Sequence, residues 1–69
     1  MLDKNKFKGI VYARGKTLRG VANYLGINAA TLYRKLNGES DFYREEIQKL
    51  CIYLEIENPS EIFFAEKVT

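Results

Sequence analysis

Residues 17–38, TLRGVANYLGINAATLYRKLNG, hold the pattern that decides the fold of this 69-residue chain. Thr17 is a good N-cap, because its hydroxyl can accept a backbone N–H of the helix that follows. The apolar residues of that helix recur at spacings of three and four, as Leu18, Val21, Ala22 and Leu25. Gly26 comes directly after them, and glycine can reverse the chain there at positive φ without a Cβ clash. The first part of the stretch therefore predicts an amphipathic helix and a tight turn.

A second helix is predicted after this turn. Asn28 is a good N-cap for it. Leu32 and Leu36 are four residues apart, as on the buried stripe of a short helix. The pair Asn37-Gly38 then predicts its end. Two short helices joined by a tight glycine turn have the geometry of a helix-turn-helix.

Outside this stretch, helical spacing predicts three more helices and no hairpin, so we expect an all-α fold with five helices. The first is predicted over residues 3–14, with Gly15 placed to end it. The fourth is predicted to begin around Tyr43, and its apolar face consists of Ile47, Leu50, Cys51 and Leu54. The last is predicted to open at residues 58–61, with Asn58 as its cap.

The composition excludes several kinds of chemistry. The chain has no histidine and no tryptophan, and Cys51 is its single cysteine. A Cys/His zinc site needs about four such ligands, a histidine base is absent, and one cysteine cannot form an internal disulfide. The apolar runs are far shorter than the ~20 residues that span a bilayer, and the first six residues lack the apolar stretch of a signal peptide. We therefore expect a cytoplasmic, non-enzymatic protein with no catalytic residues, no metal and no cofactor.

The charges are distributed unevenly along the chain, although the net charge is only +2. Residues 1–38 carry eight basic residues and one acidic residue, a net charge of +7. Residues 39–69 carry three basic and eight acidic residues, a net charge of −5. Such a division favours one positive face that binds a polyanion, although uneven charge is also common on ordinary solvated surfaces.

The residues of this stretch resemble the helix-turn-helix of phage Cro and repressor proteins. That family has a small residue within the first motif helix, glycine at the turn, an apolar residue after it, another in the second helix, and an Asn-Gly ending. The corresponding positions are Ala22, Gly26, Ile27, Leu32 and Asn37-Gly38. The whole chain resembles the small Cro/repressor-type regulators of phages and prophages of Gram-positive bacteria. The resemblance implies a compact, five-helix, lambda-repressor-like domain over residues 1–69, with its helix-turn-helix at 17–38.

The resemblance also implies that the second motif helix docks in the major groove of double-stranded DNA. The residues that would face the bases are Asn28, Ala29, Ala30, Tyr33 and Arg34. Arg34 is the best reader of bases, because its guanidinium can bind guanine O6 and N7 together; a phosphate contact or a solvated side chain is the alternative. Tyr33 would contact sugar-phosphate or a thymine methyl, or pack on the helix surface, and Asn28 would be a cap, a DNA ligand or both. Ala29 and Ala30 offer only methyl groups, unlike many relatives, which predicts modest specificity or reliance on DNA shape.

Contacts to the DNA backbone are expected from Lys16, Thr17, Arg19, Lys35 and Asn37. Relatives often hold a phosphate through a glutamine at the start of the first motif helix. Leu18 occupies that position here, so this contact is missing or is replaced by Arg19, Lys16 or a backbone N–H. Asn37 matches a phosphate-contacting position of lambda-type repressors. Three lysines near the start form a basic arm or simply a solvated edge, namely Lys4, Lys6 and Lys8.

Three functions remain open at this point. The first is a sequence-specific DNA-binding regulator that acts as a homodimer on an operator. The second is a helix-turn-helix that binds proteins, as an adaptor or anti-repressor, which the alanines of the second motif helix favour. The third is a single-strand binder that stacks bases on some of the nine aromatic residues, although Phe7, Phe63 and several tyrosines fall on apolar stripes and are expected in the core.

The expected dimer surface is the acidic C-terminal part of the chain. Phe63, Phe64 or Tyr53 would be exposed there, unless these rings are internal.

Overall fold

A computed structural model describes residues 2–63 of the chain, and these residues form five α-helices and no strand. The helices are α1 (Lys4–Ala13), α2 (Leu18–Leu25), α3 (Ala29–Leu36), α4 (Arg44–Tyr53) and α5 (Ser60–Phe63). The all-α class and the order of the five helices predicted from the sequence are confirmed.

The first helix is fixed at both ends. The Asp3 carboxylate accepts the backbone N–H of Lys6 at 3.0 Å, which satisfies a free donor of the first turn. The backbone N–H of Asp3 donates to the carbonyl of Ile62 at 2.7 Å, so α1 begins against α5. Gly15 follows the helix at φ +70, the left-handed conformation that its position in the sequence predicts.

The turn between α2 and α3 has the predicted geometry. The Thr17 hydroxyl accepts the N–H of Gly20 at 3.0 Å and begins α2. Gly26 lies at φ +73, and the N–H of Ile27 donates back to the carbonyl of Ala22 at 3.0 Å. The side chain of Asn28 then accepts the N–H of Thr31 at 2.8 Å and begins α3. Caps and turn thus satisfy the free backbone groups where the two helices meet.

The core packs α2 and α3 against the other helices. Phe7 and Phe63 are buried in it and the partly buried Phe42 packs against them: the ring of Phe7 is 6.1 Å from those of Phe42 and Phe63, which are 5.6 Å apart. The remaining buried apolar residues are Val11, Leu18, Val21, Ala22, Leu25, Leu32, Leu36, Leu50, Leu54 and Ile62. Burial of each large side chain contributes about 1.5–3 kcal/mol, so this cluster fixes the orientation of the two motif helices.

The fourth helix begins one residue after Tyr43, because the carboxylate of Glu46 accepts the N–H of Tyr43 at 2.8 Å. After its end, Glu55 has the positive φ of +54. The Arg14 guanidinium holds this segment by donating to the carbonyls of Leu54 and Glu55, at 2.8 and 3.2 Å. The side chain of Arg14 thus links the end of α1 to the end of α4 through hydrogen bonds to backbone carbonyls.

The last helix starts differently from the prediction. Phe63 donates its N–H to the carbonyl of Pro59 at 2.8 Å, and the helix begins at Ser60. Asn58 uses its side-chain oxygen to accept the Ser60 hydroxyl at 2.6 Å, so it does not cap a backbone N–H as predicted. The ring of Pro59 fixes its φ angle and so the direction in which the chain enters the helix. The hydrogen bond of the Asn58 side chain therefore belongs to the turn before the helix.

Two predictions about the aromatic residues need correction. Phe7 and Phe63 are buried as expected, but four of the five tyrosines are exposed, namely Tyr12, Tyr24, Tyr33 and Tyr43. A tyrosine fits an apolar stripe by its ring, whereas its hydroxyl favours a place in water.

The expected dimer surface is affected as well. Phe63 is only 5% exposed, so it cannot present its ring to a second copy. Tyr53 is half-buried, and Phe64 lies outside the described residues.

Candidate nucleic-acid interface

The outward face of α3 is exposed along its whole length. Its residues recur at spacings of three and four, as Ala30, Tyr33, Arg34 and Asn37. Leu32 and Leu36 lie on the opposite face and are buried, as predicted. Because these leucines hold the helix in the core, the outward face is rigid, and little ordering cost would fall on a partner that binds it.

The groups on this face differ in what they can bind. The Arg34 side chain is exposed in the last turn of α3. Tyr33 is 46% exposed. Ala30 presents a methyl group to solvent, and Ala29 is half-buried at the edge of the face. One long cation beside one amphipathic ring, with small residues before them, is a surface that can approach DNA closely.

Asn28 has a defined structural role at the start of the face. Its side-chain oxygen is engaged by the N–H of Thr31, which confirms the predicted cap. The amide nitrogen is not used by this cap, and the residue is exposed. The cap and a contact to DNA are therefore compatible in geometry.

The start of α2 forms one flank of this face. Thr17 and Arg19 are exposed there, whereas Leu18 is buried and offers no polar group. The free N–H groups of the first turn give this end of the helix a partial positive charge. Arg19 extends from it without a carboxylate within ion-pair distance among residues 2–63. These features suit an anionic oxygen.

An aromatic pair that the sequence did not reveal supports the same flank. The rings of Tyr24 and Tyr53 stack with their centroids 4.1 Å apart, which joins α2 to α4. The ammonium of Lys16 lies 4.8 Å from the centroid of Tyr53, within cation–π distance. Gly20 leaves room for this contact, since a Cβ added there would lie 3.5 Å from the Tyr53 hydroxyl. Lys16 is thus oriented by a residue 37 positions away in the chain.

The other flank lies at the end of α3. The ammonium of Lys4 donates to the side-chain oxygen of Asn37 at 2.6 Å, so the start of α1 reaches the outward face of α3. Lys6 is exposed and Lys8 is half-buried on the same helix. Three lysines of the first helix are expected near the DNA backbone. Of these, Lys4 is the one that contacts a predicted site residue, Asn37.

The structure does not agree with the expected phosphate contact of Lys35. This side chain is only 5% exposed, and its ammonium forms an ion pair with Glu46 at 3.0 Å. The reason lies in the helix geometry: Lys35 precedes Leu36 and follows Leu32 by three residues, so it shares their inner face rather than that of Arg34. We therefore remove Lys35 from the set of residues that face a nucleic acid.

Two exposed residues follow the loop after α3. Tyr43 is 71% exposed at the cap of α4, and Arg44 is exposed in its first turn. Neither residue is among the DNA-contacting residues predicted from the sequence. An Asn-Gly ending followed by a short loop to an aromatic-basic pair was the available signal.

The described residues show no feature of two other classes of site. No three of their acidic or cysteine side chains come together in a way that could hold a metal ion. None of the helices within residues 2–63 has the length and apolar character to cross a bilayer. Cys51 is a free thiol on the inner side of α4, and burial raises its pKa, which disfavours the reactive thiolate.

Comparison with known proteins agrees with this geometry. A family model described as the Cro/C1-type HTH DNA-binding domain matches residues 6–67, which is most of the chain. Searches of the curated proteins and of the solved structures each gave no match. This match supports DNA binding by a regulator in general. The chain belongs to the family of Cro/C1-type helix-turn-helix DNA-binding domains.

Proposed function

We propose that the chain is a sequence-specific, double-stranded DNA-binding regulator of transcription, of the Cro or repressor type found in phages and prophages. The observation that carries this proposal is the exposed outward face of α3, which the capped turn and the core hold in a fixed orientation. An α-helix with its side chains is about 10–12 Å in diameter, which fits the major groove of about 12 Å width. The proposed site of action is the nucleoid of a bacterial host.

Within this proposal, α3 lies in the major groove and Arg34 binds the edge of a guanine. Tyr33, Ala29 and Ala30 contact sugars or thymine methyl groups, and Asn28 adds a polar contact beside its cap. The methyl-only contacts provide little hydrogen-bond readout, so DNA shape contributes part of the specificity.

The two flanks contact phosphates on the two sides of the groove. Thr17, Arg19 and Lys16 act at the start of α2, and Asn37 acts at the end of α3 together with Lys4. Neutralised phosphates release counterions, so affinity falls steeply with salt. One domain covers about one half-site, and we propose a homodimer on a near-palindrome with half-sites ~34 Å apart.

A selection of binding sites from a random duplex pool tests the proposal most directly. It reports the operator, its symmetry and the half-site spacing together. Enrichment of a defined motif supports the proposal. Equal retention of all duplexes, or of none, would contradict sequence-specific binding.

The Arg34→Ala variant then tests the assigned role of α3. We expect a loss of about 1–3 kcal/mol of discrimination at one guanine of the selected site, since a bidentate contact is removed. The Arg19→Ala variant is the matched control, because it removes the same charge from the flank. It should weaken operator and random duplex by the same factor. Equal losses on both duplexes for Arg34→Ala would assign that residue to phosphate instead.

A helix-turn-helix that binds proteins is the alternative, and the methyl groups of Ala29 and Ala30 at the start of α3 favour it. Titrations of the protein with operator duplex and with single-stranded DNA, each also used as a competitor of the other, separate these functions. The protein-binding function gains support only if the chain binds neither nucleic acid.

A further inference from the structure

The buried ammonium of Lys35 joins three parts of the molecule. It donates to the backbone carbonyl of Asp41 at 2.9 Å and to the carboxylate of Glu46 at 3.0 Å. It also lies 4.3 Å from the ring centroid of Tyr43 and 5.7 Å from that of Phe42. A single side chain of α3 therefore holds the connecting loop and the start of α4.

Glu46 completes this arrangement from the other side. The carboxylate oxygen that accepts Lys35 also accepts the backbone N–H of Tyr43 at 2.8 Å. The loop is tied to α3 by backbone as well, since Glu39 donates its N–H to the carbonyl of Arg34 at 2.9 Å. These hydrogen bonds tie the connection to the last turn of α3, while its Phe42 packs against Phe7 and Phe63.

We propose that Lys35 is a positioning residue for DNA recognition. It fixes the rotation and tilt of α3 against α4 and so sets the direction in which its neighbour Arg34 projects; this inference rests on the proposed DNA-binding function. Successive residues of a helix point about 100° apart, so a side chain held in the interior determines where the next one points. Lys35 itself does not touch DNA, because leaving Glu46 would strand a half-buried carboxylate without its cation.

A positioning role and a phosphate contact predict different salt dependence. Each neutralised phosphate adds about 0.9 to the slope of log affinity against log salt concentration. Lys35→Met keeps the length and burial of the side chain but removes its charge. We expect its affinity for the selected operator to fall on the order of tenfold, from lost preorganisation, while the slope stays that of the unaltered protein. Arg19→Ala is the control, and its slope should fall by about 0.9.

The Glu46→Gln variant gives a second test, with a smaller change in side-chain structure. The amide oxygen can still accept the N–H of Tyr43, but the charge that pairs with Lys35 is gone. Removal of an acidic group near a polyanion should strengthen binding if only long-range charge mattered. The positioning role predicts weaker binding instead. Glu45→Gln, an exposed neighbour with the same change of charge, is the control and should bind unchanged or slightly more tightly.

Two readouts separate positioning from simple instability. All affinities are measured where circular dichroism shows each variant fully folded, and the ratio of operator to random-duplex affinity is recorded. Lys35→Met should lower this ratio, whereas Arg19→Ala should not. In the free protein, amide hydrogen exchange should become faster at Glu39 and Tyr43 in Lys35→Met, by a larger factor than at Phe7 in the core.

The possible failures are distinguishable. If the unaltered protein binds no duplex, the proposed function is wrong and this role falls with it. If it binds and Lys35→Met lowers the salt slope by about 0.9, the ammonium contacts phosphate and the inference alone is overturned. Unchanged affinity ratio, or unchanged exchange at Glu39 and Tyr43, would overturn it as well.

Discussion

The two ends of α3 are built in different ways. At its start, Gly26, Ile27 and Asn28 use backbone geometry and one short side chain, and every hydrogen bond spans five residues or fewer. At its end, Lys35 reaches across the loop to Asp41 and Glu46, six and eleven positions away. The first end is a matter of local conformation and the second of tertiary packing.

The contacts at the start of α3 connect it to α2, whereas the contacts at its end set its orientation against the rest of the domain. The glycine turn and the caps end α2 and begin α3 through local hydrogen bonds, and the buried side chains of both helices hold them together. The Lys35 contacts fix α3 against the rest of the domain, through an ion pair whose partners are 5% and 12% exposed. Such a pair adds little to stability relative to apolar residues, but breaking it from one side is costly.

The largest effect is expected at the end of α3. Lys35→Ala should lower the free energy of unfolding by about 3 kcal/mol, because Glu46 is left as a largely buried charge without its partner. The measurement is equilibrium urea unfolding. The double variant with Glu46→Ala should cost less than the sum of the two single variants, since the stranded charge is removed. Additive costs would show that the two side chains do not interact.

A smaller effect is expected at the turn. Gly26→Ala should lower the free energy of unfolding by about 1–2 kcal/mol, because a Cβ at φ +73 crowds the following carbonyl. Gly9 offers a matched control, since it lies inside α1 with open space around it. Gly9→Ala should stabilise the protein by about 0.5–1 kcal/mol through helix propensity. The same sign for both variants in thermal unfolding would remove the special role of the turn.

The sequence predicted the local end of α3 well and the tertiary end poorly. Thr17, Gly26 and Asn28 were placed correctly because caps and positive-φ glycines depend on residues close in the chain. Leu32 and Leu36 were placed by helical period alone. The orientation of Lys35 follows from the same period, but its charge favoured a solvent position in the prediction, and only the packed fold supplies Glu46 as its partner.

The candidate site divides along the same line. The resemblance to Cro and repressor proteins implies the outward face of α3, and four residues of this face recur with the helix repeat. Lys16 could be named as a cation, but its orientation over Tyr53 could not, since α2 and α4 are distant in sequence. Lys4 at Asn37 is a contact of the same kind. Tyr33 is expected on the outward face, but the pattern does not predict the exposure of the other tyrosines, because ring hydrophobicity outweighs the hydroxyl in it.

The smallest effect is expected at Asn28, where cap and DNA contact can be separated. Asn28→Ala should cost about 1 kcal/mol of folding free energy, since the N–H of Thr31 loses its acceptor. Asn28→Ser should retain most of that stability, because serine caps nearly as well. If the amide also contacts DNA, both variants should bind the operator more weakly by similar factors in titrations at fixed salt. If the amide serves only as a cap, Asn28→Ser should bind as the unaltered protein does, and the polar readout of the bases would then come from Arg34 and Tyr33.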